Sequence, residues 1–310
     1  MTAAARAAVA AIAVGLAISS PAWAQPRPVL THQVGPNDSL ELLAAEYYGD
    51  RRYASLLRLA NDLDEPRALR RGERLRIPVG LRLVTVEGDR FETLAAKHLG
   101  DEARAAFLAE YNDRAPGISL AAGELVRVPF QLRFVADERT SLGVIAARYL
   151  RGSRDMELLR AYNALDEELE ALSSGASIEI PALHIAVRGA RLPRLTEAEL
   201  ERLETRREAV AAAEDALPAA RHAWRRGDYA EVIRRLDPLA LAFLDAEVAQ
   251  ETSVYLGGAH LARGDDATAE AVFLAALERD ASYAMSAYHF SPAIRALWEK
   301  LGGRIDTSSR

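Results

Sequence analysis

Six histidines, His32, His98, His184, His222, His260 and His289, are the side chains best suited to move a proton or hold a metal in this chain. No two lie within a helical turn of each other, and the His-Glu-x-x-His spacing that sets two imidazoles on one helix face is absent. There is no cysteine, which removes thiolate metal sites, thiol nucleophiles, disulfides and a lipid-bearing cysteine together. Neither Gly-x-Ser-x-Gly nor Ser-x-x-Lys occurs. Carboxylates are plentiful, but a glycosidase pair needs a cleft supplied by a larger fold, and no pair stands out. The residues therefore predict no catalytic set, no metal site and no cofactor.

What the chain does repeat is a skeleton. Leu40, Phe91 and Leu142 are 51 residues apart, as are Ala44, Ala95 and Ala146, and Asn61, Asn112 and Asn163. The closing glycines Gly72, Gly123 and Gly175 fall 51 and 52 apart, so the third copy has gained a residue after Asn163. Self-similarity at a fixed period marks a tandem array of one small module.

Within copy one, Thr31 to Val34 alternates as a strand should, and Asp38 and Ser39 offer oxygens to cap a helix from Leu40. Gly49-Asp50 breaks that helix, Tyr53 starts a second that stops near Asn61, and Arg74 to Pro78 alternates again before Pro78 ends it. Copy two repeats the order with Leu83 to Val86, Phe91 to Leu99, Ala105 to Tyr111 and Glu124 to Val128. Copy three does so with Leu132 to Val135, Leu142 to Leu150, Asp155 to Tyr162 and Ala176 to Ile180. An Asn at a helix end closes the loop through its own side chain, which gives Asn61, Asn112 and Asn163 a structural role.

These residues resemble the LysM family, whose pattern Val34, Asp38-Ser39-Leu40, Leu43-Ala44, Asn61, Leu69, Gly72, Leu75, Ile77 and Pro78 follow. Copy two follows it through Gly88-Asp89, Phe91, Leu94-Ala95, Asn112, Leu120, Gly123, Leu125, Val128 and Pro129. The resemblance implies binding of peptidoglycan or other N-acetylglucosamine-containing glycans in a groove between two loops. Carried over, the ligand residues are Asn37, Asp38, Ser39 and Leu40 with Pro66, Arg67, Ala68 and Leu69 in copy one. In copy two they are Gly88, Asp89, Arg90 and Phe91 with Pro116, Gly117, Ile118 and Leu120. Copy three has Arg139-Thr140 in place of Gly-Asp and is expected to be mainly structural.

The C-terminal third reads as helical. A connector over 184–195 leads to a helix start at Thr196, and Pro218 should kink or break that helix before Trp224. Gly227-Asp228 is echoed by Gly264-Asp265, and Leu256-Gly257, His260, Ala269, Phe273 and Ala276 resemble a tetratricopeptide repeat, which implies a protein-binding surface. Tyr283, Tyr288, Phe290 and Trp298 are expected to seal the final helix against the preceding hairpin.

The expected fold class is thus α+β, with three small βααβ LysM modules in tandem followed by an all-α TPR-like helical-hairpin domain. Its divisions are 30–79, 81–130 and 132–183 for the modules, 184–195 for the linker, 196–303 for the helical domain and 304–310 for a flexible tail. Residues 1–24 carry Arg6, an apolar run to Ile18 and Pro21-Ala22-Trp23-Ala24, the zones of a cleaved signal peptide. Its removal takes away one Arg and no acid and moves the formal charge from -6 to -7. That acidity argues against nucleic acid and against an anionic membrane surface.

The sequence therefore predicts a non-catalytic, exported cell-envelope protein, periplasmic or wall-associated. Peptidoglycan is the expected ligand, and an envelope protein is the expected partner through residues 196–303. The alternatives are an envelope scaffold whose modules have lost glycan binding and a cell-wall hydrolase accessory or lytic protein.

Overall fold

Residues 29–63 and 68–307 are described by a computed structural model. The signal-like segment 1–24, Pro66 and Arg67 of the expected copy-one ligand set, and residues 308–310 lie outside the described residues.

Copy one runs β1 (Val29–Gln33), α1 (Leu40–Tyr48), a 3-10 turn, α2 (Ala54–Ala60) and β2 (Arg74–Pro78). The two strands pair antiparallel, Val29 opposite Pro78 and Gln33 opposite Arg74. Ser39 caps α1 by accepting the Leu42 N–H, and Gly49 ends it in the left-handed region at φ 80°. Copy two contributes β3 (Leu81–Val84), α3 (Phe91–Leu99), α4 (Ala105–Tyr111) and β4 (Leu125–Val128). β3 stops two residues short of the expected Val86, because the Val86 N–H turns to the Asp89 carboxylate at 2.8 Å. Copy three has β5 (Gln131–Val135), β6 (Thr140–Ser141), α5 (Leu142–Tyr149), α6 (Met156–Tyr162), β7 (Ala171–Leu172) and β8 (Ser177–Pro181).

One device recurs in all three copies. The Asn61 amide donates to the carbonyls of Leu57 and Arg76, and its oxygen accepts the Arg76 N–H. Asn112 does the same with Leu108 and Arg127, and Asn163 with Leu159 and Glu179. Each Asn ties the end of the second helix to the closing strand, so the fixed spacing of the three asparagines records a cross-link between two elements.

After copy three come α7 (Glu197–Arg225), α8 (Tyr229–Leu236), α9 (Ala246–Ala262), α10 (Asp266–Arg279), β9 (Ala284–Ser286), α11 (Pro292–Lys300) and β10 (Arg304–Asp306). Thr196 and Glu199 form a reciprocal cap at the start of α7. Gly257 lets α9 and α10 approach, since a Cβ there would sit 2.5 Å from the Phe273 ring.

The expected fold class is corrected. Among the described residues there are eleven α-helices, while the strands form five separate two-stranded sheets rather than any continuous one. The repeats are not a row of three like modules. Copies one and three merge their apolar faces into one core, in which Leu43, Leu57 and Ile77 join Leu142, Ile145 and Ile180. Copy two keeps a smaller core of its own around Phe91, Leu99 and Leu108. The physical reason is area: each copy is too small to bury its apolar surface alone, so neighbouring faces coalesce where geometry allows.

The C-terminal part is helical, as expected, but not all-α, because β9 and β10 pair in parallel, Ala284 with Arg304 and Ser286 with Asp306. That strand also corrects the flexible tail over 304–306. The expected linker is corrected as well: Ile185 is buried in the shared core, the Arg188 N–H donates to the Tyr47 carbonyl, and Arg191 pairs with Glu46. Pro218 sits inside a continuous 29-residue α7. Ala216, Leu217, Ala220 and Ala223 are buried on either side of it, and their packing offsets the missing backbone bond, which costs about 3 kcal/mol.

Tyr283, Phe290 and Trp298 do pack in one cluster with α11, whereas Tyr288 stays exposed.

Candidate functional site

The closing turn of copy two packs against the helical unit. The Ala122 N–H donates to the Ala242 carbonyl at 2.7 Å. Glu124 is 8% exposed and pairs with Arg114 at 2.7 Å, while Arg206 of α7 lies 3.6 Å from it and 2.9 Å from Asp245. Gly123 has φ 75°, and a Cβ there would stand 2.6 Å from the Arg202 carbonyl. This glycine serves twice: it makes the repeat's turn, and it admits the backbone of α7.

Between that junction and α10 lies a cleft of about 520 Å³. Its one wall is Glu87 to Arg90 with Ser119 to Ala121, and its other is Leu241, Ala242, Leu244 and Ala246 with Glu278 and Arg279. Burial holds the Arg279 guanidinium below its ordinary pKa, against an opposing pull from Glu87. A second hollow of about 220 Å³ lies beside Phe91, Asn112, Arg114 and Leu120.

The sequence-predicted residues divide accordingly. Gly88, Asp89, Arg90 and Leu120 come together at the larger cleft. Phe91, predicted as an apolar wall for a ligand, is instead core at 1% exposure, because it opens α3 on its inner face. Pro116, Gly117 and Ile118 are exposed and do not line the larger cleft. In copy one Leu40 is likewise core, Leu69 packs against the same core, and Asn37 and Ala68 are exposed. Asp38 is occupied: it accepts His32 Nε2 at 2.9 Å and the Gly35 N–H at 2.7 Å, and those bonds hold its carboxyl below the usual carboxylate range. Ser39 is the helix cap already described. In copy three the corresponding loops are joined by β6 and β7, Thr140 opposite Leu172 and Ser141 opposite Ala171.

Sequence reasoning missed the helical wall of the cleft. Nothing in the chain marks Arg279 as a neighbour of Asp89, which is almost two hundred residues earlier.

Two histidines are oriented by carboxylates as a general base would be. His32 has Asp38 on one nitrogen and the Tyr47 hydroxyl at 3.1 Å on the other. Burial raises the Tyr47 pKa, so that hydroxyl is poorly suited to ionise as a nucleophile. His260 Nδ1 lies 3.0 Å from Asp265 at the turn between α9 and α10, where Asp265 also caps α10.

No family model matches the chain, and no solved structure matches it. Two curated proteins of Mycobacterium tuberculosis are similar to part of it. They are Esterase MT1326 of strain CDC 1551 / Oshkosh and Esterase Rv1288 of strain ATCC 25618 / H37Rv. Each is 27% identical over 137 residues, which is 44% of this chain and 30% of the relative. The chain thus spans under a third of the length of the curated relatives it matches. The finding overturns the expectation of a non-catalytic glycan-binding protein, because both relatives carry the name of a hydrolytic enzyme. Among the described residues, no helix is long and apolar enough to cross a membrane.

Proposed function

We propose that this chain takes part in ester hydrolysis on an N-acetylglucosamine-containing glycan, such as that of a cell wall, and that copy two with the helical unit forms the place where the glycan is held. The carrying observation is the convergence of Gly88, Asp89, Arg90 and Leu120 with Leu241, Leu244 and Arg279 on one cleft of about 520 Å³. Such a space is within the range of small-ligand sites, which combine an apolar wall with a few placed polar groups. An N-acetylated sugar suits it chemically, since the acetamido group takes backbone donors and acceptors while its methyl takes an apolar wall. The LysM resemblance of the repeats supports the glycan, and the name of the two relatives supports the reaction class. Export through the N-terminal signal-like segment belongs to this reading, because the glycan lies outside the cytoplasm. A contact between residues 196–303 and an envelope protein is retained as part of it.

The purified chain should bind N-acetylglucosamine oligomers in a calorimeter and should release acetate from an O-acetylated oligomer, water cleaving the ester to acetate and a free sugar hydroxyl while the N-acetyl amides stay intact. Binding without any release, from the native chain and under conditions where a known esterase works, would remove the hydrolytic half. Absence of binding to oligomers and to insoluble cell wall alike would remove the glycan half. His32→Ala and His260→Ala variants, assayed in parallel, separate the two carboxylate-oriented imidazoles as sources of any activity.

A further inference from the structure

Arg279 is the last residue of α10, and one nitrogen of its guanidinium donates to Ser253 Oγ at 3.1 Å. Ser253 is itself buried, and Arg279 is half-buried at the inner wall of the copy-two cleft. Among the described residues no carboxylate lies within 4 Å of it. A half-desolvated cation with one neutral partner has unused donors in a fixed fork, the geometry that matches a carboxylate. Across the cleft, Arg90 also has no ion pair among the described residues and is exposed. On that loop Asp89 is occupied by the Val86 N–H, and Glu87 is the acid whose charge reaches Arg279 without pairing with it. Glu87 and Glu278 are exposed at the cleft, where they disfavour a ligand with several negative charges.

We propose that the helical unit adds a carboxylate-reading subsite to the copy-two cleft, with Arg279 as its guanidinium and a singly acidic, N-acetylated saccharide as its ligand. This rests on the glycan reading above and refines it, because the loops of copy two alone would not distinguish an acidic sugar from a neutral one. The helical unit supplies specificity, and its attachment at Ala122, Gly123 and Glu124 fixes the distance between the two walls.

The test compares two ligands on the full chain by calorimetry: the disaccharide of N-acetylglucosamine and N-acetylmuramic acid, and the same disaccharide with its lactyl carboxylate converted to the amide. The native chain should bind the acid about tenfold more tightly, about 1.4 kcal/mol. Arg279→Gln should bind both compounds as the native chain binds the amide, and Arg279→Lys should keep part of the preference. Equal affinities in the native chain, or a preference that survives in Arg279→Gln, would overturn the subsite while leaving the glycan reading in place. No binding of either compound would overturn both. The native comparison needs no variant to fold, so it decides the matter even if Arg279→Gln is unstable.

Discussion

The N–H of Ala122 donates to the Ala242 carbonyl at 2.7 Å, which joins the closing turn of copy two to the segment between α8 and α9. This bond sits beside Gly123, whose missing Cβ makes room for the α7 backbone. Copies one and three have glycines at the matching position, Gly72 and Gly175, where a Cβ would meet nothing within 4 Å.

A sharp difference between equivalent substitutions is therefore expected. Gly72→Ala meets only the left-handed φ of 82° and should cost about 1 kcal/mol. Gly123→Ala adds a clash with backbone that cannot swing away and should cost about 3 kcal/mol. Urea denaturation of the two variants checks this; equal losses would mean that α7 does not press on copy two.

Arg206→Ala should loosen the same junction. Its side chain is 16% exposed and joins Glu124, Asp245 and the Phe243 carbonyl, so its removal leaves the buried Glu124 with Arg114 as its one remaining cation among the described residues, beside the Ala121 N–H. A loss of about 2 kcal/mol is expected, with a larger radius of gyration by small-angle scattering. An unchanged radius with full loss of stability would place the damage inside the helical unit instead.

The three asparagine clamps should be costly to remove. Asn112→Ala forfeits two donated bonds and one accepted bond and strands the carbonyl of Arg127, for a loss of about 2 to 3 kcal/mol. Asn112→Asp keeps an acceptor for the Arg127 N–H and should fall between native and Ala. Thermal melts of the three proteins give the order directly.

Stability should decline as pH falls from 7 towards 5, through His184. Both of its ring nitrogens are buried without a hydrogen-bond partner among the described residues, and burial, helped by Arg151 and opposed by Asp155, pushes its pKa below the ordinary 6.5. Glu110 and Tyr111 from α4 share the hollow beside it, and the Tyr53 ring lies 5.6 Å away. With a depressed folded pKa the unfolded chain binds more protons in this window, so stability is full above 6.5 and is lost as pH drops below it. His184→Phe should flatten that slope, as read from urea midpoints at pH 5 and 7. A slope unchanged by the substitution would assign it to another group.

Local chemistry is legible in the residues themselves. Ser39 and Thr196 cap the helices that they precede, Gly49 ends α1 with a positive φ, and Asn61, Asn112 and Asn163 close their loops, because each of these acts across a few residues or one strand. Phe91 is misplaced by its spacing for a related reason: the first residue of a helix can face either the core or the loop groove, and spacing alone does not say which. His184 carries no visible signal, since an imidazole is buried or exposed by what packs over it.

The order of amino acids alone dictates the repeat, the caps, the left-handed glycines and the helical character of the last third, all of which follow from backbone preferences and hydrogen bonds between near neighbours. Long-range packing had to settle the rest: that copies one and three share a core, that residues 184–195 pack back on Tyr47, and that Arg279 faces Asp89 across a cleft. Those outcomes depend on which apolar faces meet and bury the most surface, a sum over residues far apart in the chain, so no single residue carries the answer.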